Sequence, residues 1–235
     1  MRGMTPLERP TTRAVLCLDC HLGSARSGQY VTHRMMAAGH PRISFELDLF
    51  STMQQHHDED ADYVRRKGRT DSVCLWAVGQ AMSLSRAMTL FASNRGTEGA
   101  FPEFTFFDCH SCHRRIYDQA DRNLTFETNP GRPIPFATPP FNDENMILLS
   151  AAVKVAAPGQ AARFDGDVRA FHLGTAGDRA AAAAAARKLA ATAQSLAVSL
   201  SGVNGGGDLA YAIVDSIAGP ASAPRFTDYE GSVQA

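Results

Sequence analysis

Four of the five cysteines stand in two short runs of one form, Cys17-Leu18-Asp19-Cys20-His21 and Cys109-His110-Ser111-Cys112-His113. In each run two thiols lie three positions apart and a histidine follows directly. On a helical turn that spacing puts both sulfurs and the imidazole on one side. Thiols so placed add to the two vinyl groups of a single porphyrin, and the histidine lies under its iron. C-x-x-C-H is the attachment pattern of c-type haem. This composition would produce such a run by chance about 0.004 times per chain, so two are not accidental. Structural zinc also uses C-x-x-C pairs, but here the pairs lie about ninety residues apart and each carries its own histidine. A thioredoxin-like redox pair needs a βαβ setting, which the sequence lacks. The expectation is two covalent haems c, one held by Cys17, Cys20 and His21, the other by Cys109, Cys112 and His113.

Each iron then needs a sixth ligand, or an open position if it does chemistry. Six histidines remain: His33, His40, His56, His57, His110 and His172. His33, His40 and His56 are the candidate metal ligands. His33 and His40 are seven residues apart. If one helix runs through both, they lie about 10 Å apart along it. Axial nitrogens on one iron are only about 4 Å apart, so the two should not share an iron. His40 stands before Pro41, at a fixed bend that suits a rigid ligand. His56 and His57 sit in an acidic connector, where one ligates and the other is solvated. His110 projects away from its own iron. His172, within Phe171-His172-Leu173, reads as a core histidine. Met35, Met36, Met53, Met82 and Met88 read as packing residues. Arg34, Arg42, Arg114 and Arg115 flank the haem histidines and have the fork geometry that holds a propionate. Phe101, Phe104, Phe106, Phe107 and Tyr117 form an apolar surround for the second motif. Cys74 reads as a buried thiol.

The elements that must position these groups are mainly helical. The chain has 235 residues, 44% hydrophobic and 20% charged, with a net charge of −1. That is ordinary globular composition and gives no sign of a nucleic-acid binder or a polybasic membrane anchor. No stretch approaches the ~18–20 apolar residues of a membrane span. A helix is expected from Thr32 to about Gln55, broken near Pro41. The best amphipathic helix covers 71–94, with Val73, Trp76, Ala77, Gln80, Ala81, Leu84, Met88 and Phe91 on its apolar face. Residues 128–142 are Pro-rich loop. Further helices are expected at 144–156, from Asp178 to about Leu200, and from Asp208 to Ile217.

Beyond the haem motifs, Cys17-x-x-Cys20-His21-Leu22-Gly23 is followed by Val31-Thr32-His33-Arg34-Met35-Met36-Ala37-Ala38-Gly39-His40-Pro41-Arg42-Ile43-Ser44-Phe45-Glu46, and later by Phe101-Pro102-Glu103-Phe104-Thr105-Phe106-Phe107-Asp108-Cys109. Residues 5–118 in this way resemble the bacterial multihaem c-type cytochrome family, and 228–235 are similar to the start of a closing helix there. The resemblance implies further haems on an N-terminal portion, and distal-ligand roles for His33 and His40 toward haems on this or other segments. No apolar signal core precedes Pro10, whereas c-type haem is attached outside the cytoplasm. The expectation is therefore a processed chain or a C-terminal portion of a longer periplasmic or otherwise extracytoplasmic protein.

The expected fold class is mainly α: a haem-organised multihaem cytochrome c with irregular loops and a helical C-terminal extension. Residues 1–125 are read as the dihaem domain, and 126–235 as a Pro-rich linker and helical extension packed against it or docking a partner. The expected function is electron transfer with bis-histidine ligation, to redox partner proteins, without nucleic acid or a membrane span. Two alternatives are an oxidoreductase subunit with one open haem acting on a small nitrogen or sulfur oxide, and an assembly module of a larger redox complex.

Overall fold

In the computed structural model, residues 5–26, 28–41, 45–55, 58–93, 102–113, 131–134, 139–222, 231 and 233 are described. Among them the regular structure is helical, and the one β-pairing is an isolated bridge between Phe107 and Phe141. The chain is mainly α, as its periodicity requires. No helix among the described residues is long and apolar enough to cross a membrane.

The first helix, α1 (Pro10–His21), starts on a proline, whose ring pre-sets a helical φ and whose missing N–H is no loss in the first turn. It stops at Gly23, which has φ +84° and donates its N–H to the Leu18 carbonyl at 2.9 Å. A Cβ at Gly23 would fall 1.9 Å from the Gln29 carbonyl oxygen, so only glycine fits. The single helix expected from Thr32 to Gln55 is two short ones, α2 (His33–Ala37) and α3 (Leu47–Met53). The break falls at Gly39, φ +100°, before Pro41 is reached. The Thr32 hydroxyl caps α2 and the Glu46 carboxylate caps α3. The acidic connector then enters a helix that the sequence reading lacked, α4 (Ala61–Lys67), capped by Asp60 and closed at Gly68.

The spine of the molecule is α5 (Ser72–Phe91), capped by Asp71, whose second carboxylate oxygen accepts the Gly205 N–H at 2.8 Å. It is buried well beyond its expected apolar stripe: Cys74, Leu75, Val78, Gly79, Ser83 and Leu90 are also inside. A 3-10 turn (Phe104–Phe106) leads into the short α6 (Cys109–Cys112). Four helices follow: α7 (Glu144–Ala156), α8 (Pro158–Thr175), α9 (Arg179–Leu200) and α10 (Gly207–Ser222). α8 is not among the helices that the sequence predicts. Its apolar face is thin, but Phe164, Val168 and Phe171 are buried at helical spacing.

The largest packing is α9 along α5. Six alanines of α9 (182, 183, 186, 190, 193 and 197) are buried with Leu189, Leu196 and Leu200. Small side chains let the two axes approach closely. The main core therefore draws on residues from both sides of the Pro-rich stretch. A second, smaller core joins Ala14 and Leu18 of α1 to Phe45, Leu47 and Leu75. Here Gly79 is decisive, because a Cβ on it would meet Leu47 Cβ at 2.6 Å. Gly79→Ala is therefore expected to lower stability by about 1–3 kcal/mol through overpacking, although alanine favours helix. Urea unfolding of the two proteins checks this.

Candidate haem-attachment sites

The first motif ends α1. Leu18, inside the motif, is 1% exposed and seats the helix on Leu75 of α5. Burying a leucine in this way is worth about 1.5–3 kcal/mol. With Leu18 turned inward, Cys17, Cys20 and His21 line one cleft of about 520 Å³, together with Leu16, Phe50 and Arg13. All three cysteine-motif side chains thus open to a common space, and both thiols are free. Burial pushes the Cys17 thiol above its ordinary value. The His21 ring stacks on Phe45 at 4.6 Å and meets the edge of Phe50 at 5.1 Å. Its Nδ1 is buried with no hydrogen-bond partner. Two free thiols and an incompletely satisfied imidazole form the donor set that a covalently held porphyrin needs, beside a cleft lined by Leu7, Leu16, Phe50 and Leu75 but also by Arg13, Arg69, Asp48 and Glu59.

Arg86 fastens this motif to the spine. It is the one charged residue of α5, and it donates to the Gly23 carbonyl at 2.8 Å and to Asp19 at 2.7 Å. Sequence reasoning passed over it. A single arginine in an otherwise uncharged core helix was the available signal. Arg86→Ala is expected to cost about 1–2 kcal/mol and to loosen residues 17–23 more than α9, measurable as faster amide hydrogen exchange confined to that turn.

The second motif is held differently. Phe106, just before it, enters the main core against Phe91 at 5.3 Å and Phe141 at 6.1 Å. The backbone is pinned by Asp108 N–H to the Pro140 carbonyl (2.9 Å) and Asn142 N–H to the Phe106 carbonyl (2.8 Å). The aromatic surround expected here is thus divided. Phe106 and Phe107 are buried anchors, Phe104 is exposed beside His33, and Phe101 and Tyr117 lie outside the described residues. Cys109 is half-buried, while Cys112 and His113 are exposed.

The structure brings one candidate ligand to a motif histidine. His33 and His113 lie with ring centroids 6.1 Å apart and planes inclined by 34°. Two metal–nitrogen bonds of about 2 Å plus the half-widths of two imidazoles make about 6 Å, the spacing of rings on opposite sides of one metal. His40 is not brought to either motif histidine. The helix expected to carry it with His33 ends at Ala37. Its Nδ1 donates to the Pro41 carbonyl at 2.7 Å, leaving the lone pair on Nε2. His56 and His57 lie outside the described residues, as do Arg42, Arg114, Arg115 and the segment 228–230. Arg34 is exposed, whereas Arg13 and Arg69, which the sequence reading did not single out, line the first cleft. Of the methionines, Met88 is buried and Met82 packs on the core, but Met35 and Met53 are exposed. Cys74 is a buried thiol donating to the Leu200 carbonyl at 3.5 Å. Among the described residues no cluster of three or more His, Cys, Asp or Glu could hold a bare metal ion.

One small cavity reaches from the first motif to the segment that precedes the second. His21 and Phe45 of the first share a small cavity of about 110 Å³ with Thr105 and Phe106, which lead into the second.

His172 is the core histidine that its apolar flanks imply, 2% exposed between Phe141 and Phe171. Its Nε2 is 3.8 Å from Asp143, too long for a hydrogen bond, and Asp143 itself pairs with Arg132. Burial pulls the His172 pKa from 6.5 to about 4. Between those values the unfolded chain binds a proton that the folded chain refuses, so this contribution is whole above pH 6.5 and is lost as pH falls toward 4. The loss amounts to about 3 kcal/mol. His172→Leu should flatten the fall in unfolding free energy between pH 7 and pH 4.5 relative to wild type, as read by urea titrations.

Compared with protein-family models, with curated proteins and with solved structures, the chain finds no match.

Proposed function

We propose that this protein is an extracytoplasmic electron carrier that holds two covalent c-type haems. Cys17, Cys20 and His21 would attach the first, and Cys109, Cys112 and His113 the second. The observation that carries the reading is the pair of C-x-x-C-H motifs, whose thiols form no disulfide, combined with the His33 and His113 rings lying 6.1 Å apart.

Bound haem supplies a one-electron Fe(III)/Fe(II) couple. The remaining work falls to the chain. Leu18 and Arg86 fix the first attachment turn, and Phe45 and Phe50 shield the His21 ring from water. Phe106 and Phe107 anchor the second turn to a rigid core, so its cysteines present a fixed geometry. His113 and His33 would hold the second haem's iron, and two imidazole ligands would keep its potential low relative to His/Met cytochromes. Redox partner proteins, and further haem segments, are the proposed donors and acceptors.

Intact mass of the protein matured in a haem-attaching periplasm should exceed the polypeptide mass by two haems. A double variant, Cys109→Ala with Cys112→Ala, should carry one. An unmodified mass in the wild type overturns the proposal.

A second reading is favoured by the cleft at the first motif, in whose lining among the described residues His21 is the one histidine. In that reading the first haem keeps an open position and acts on a small nitrogen or sulfur oxide. An oxidised spectrum that is wholly low-spin and unaltered by cyanide or nitrite removes it, and a high-spin component that shifts with either ligand supports it.

A further inference from the structure

We infer that Glu103 is the positioning residue that holds His33 opposite His113, and so sets the axial ligation of the second site. This rests on the haem reading above and goes a step beyond it, to the group that secures the distal ligand.

The helix that carries His33 cannot hold itself in place. α2 has five residues and none of them is buried. A helix this short is far below the length that is stable alone, and without a buried face it gains nothing from core packing. The Thr32 hydroxyl satisfies only the Met35 N–H in its first turn. The His33 N–H is taken by Glu103 Oε1 at 2.8 Å, across 70 residues of sequence. The other carboxylate oxygen, Oε2, accepts the Thr105 N–H at 2.8 Å and caps the 3-10 turn. One carboxylate thus joins the first residue of α2 to the turn that runs into Cys109. That turn is in turn nailed to the core by Phe106.

Position along the chain adds to the case. Phe104, the residue after Glu103, meets the His33 ring edge-on at 5.5 Å. So residue 103 grips the backbone of His33 and residue 104 abuts its ring. Both belong to the segment that also delivers His113, and the two imidazoles therefore share one mounting. Bonds from N–H donors to an ionised carboxylate are the stronger kind and tolerate little displacement. Replacing Glu103 removes the tether while leaving His33, His113 and both cysteines in the chain.

The test uses the full chain with its haems attached, and compares wild type, His33→Ala, Glu103→Ala and Glu103→Gln. Spin state is read from the oxidised absorption and electron paramagnetic resonance spectra, and lability of the distal ligand from the rate of carbon monoxide binding to the reduced protein. His33→Ala should turn one of the two haems high-spin and set the upper limit of that rate. Glu103→Ala should show a high-spin fraction at one haem and bind carbon monoxide about tenfold faster than wild type, the effect of one lost charge-assisted hydrogen bond. Glu103→Gln keeps one acceptor for two N–H donors and should fall between them.

A merely structural role would lower the unfolding temperature and leave both readouts at wild-type values. That outcome in Glu103→Ala overturns the inference while leaving the two-haem reading intact. If Glu103→Ala fails to mature, Glu103→Gln decides, and a wild-type rate with a wholly low-spin spectrum overturns the inference. Wild-type protein without covalent haem overturns both.

Discussion

Everything in this structure that bears on chemistry hangs from the burial of one helix. α5 is enclosed on nearly all sides, by the alanine face of α9, by α7, and by α1 and α3. A helix packed on most of its faces has its rotation fixed as well as its position, and in α5 only Ser72 and Thr89 are exposed. The two cysteine motifs are secured at different points along this spine. Leu75 and Arg86 hold the first, through Leu18, Asp19 and Gly23. Phe91, at its last turn, holds the second through Phe106. The separation of the two sites is thereby fixed by a rigid element and not by loops. A redox chain needs this property, since site-to-site spacing governs electron transfer and a covalent cofactor can be no better placed than the turn that carries it.

The two sites differ in how they are enclosed. The first has a cleft, a buried arginine, and phenylalanines against its histidine. The second is exposed at Cys112 and His113 but has a second imidazole in register. Environment tunes a haem through axial ligand, burial and nearby charge. On the proposed haem reading, two sites so unlike in burial and in neighbouring side chains would differ in potential.

The motifs and the long helices were legible in the sequence. C-x-x-C-H is a local pattern, and α5, α7 and α9 carry repeating apolar positions over three or more turns. The helices that escaped notice have weak patterns. α4 is short and has no buried residue, and α8 mixes Arg163, Asp165 and Arg169 with few apolar residues. The break between α2 and α3 was placed at Pro41 because proline is the stronger local signal, but Gly39 had already ended the helix with a left-handed φ. The site relations were the least visible. His33 and His113 are 80 positions apart, and nothing local to either one announces the other. Their meeting follows from Glu103 and from the aromatic hub of Phe91, Phe106, Phe141 and Phe171, contacts that only the folded chain creates.

Iron anomalous scattering from crystals of the protein produced in a haem-attaching periplasm decides whether iron is held at these motifs. Two iron peaks are expected, one against His21 beside Cys17 and Cys20, and one between the rings of His33 and His113. A single tetrahedral metal shared by the two cysteine pairs, or no iron at either motif, would contradict the two-haem reading.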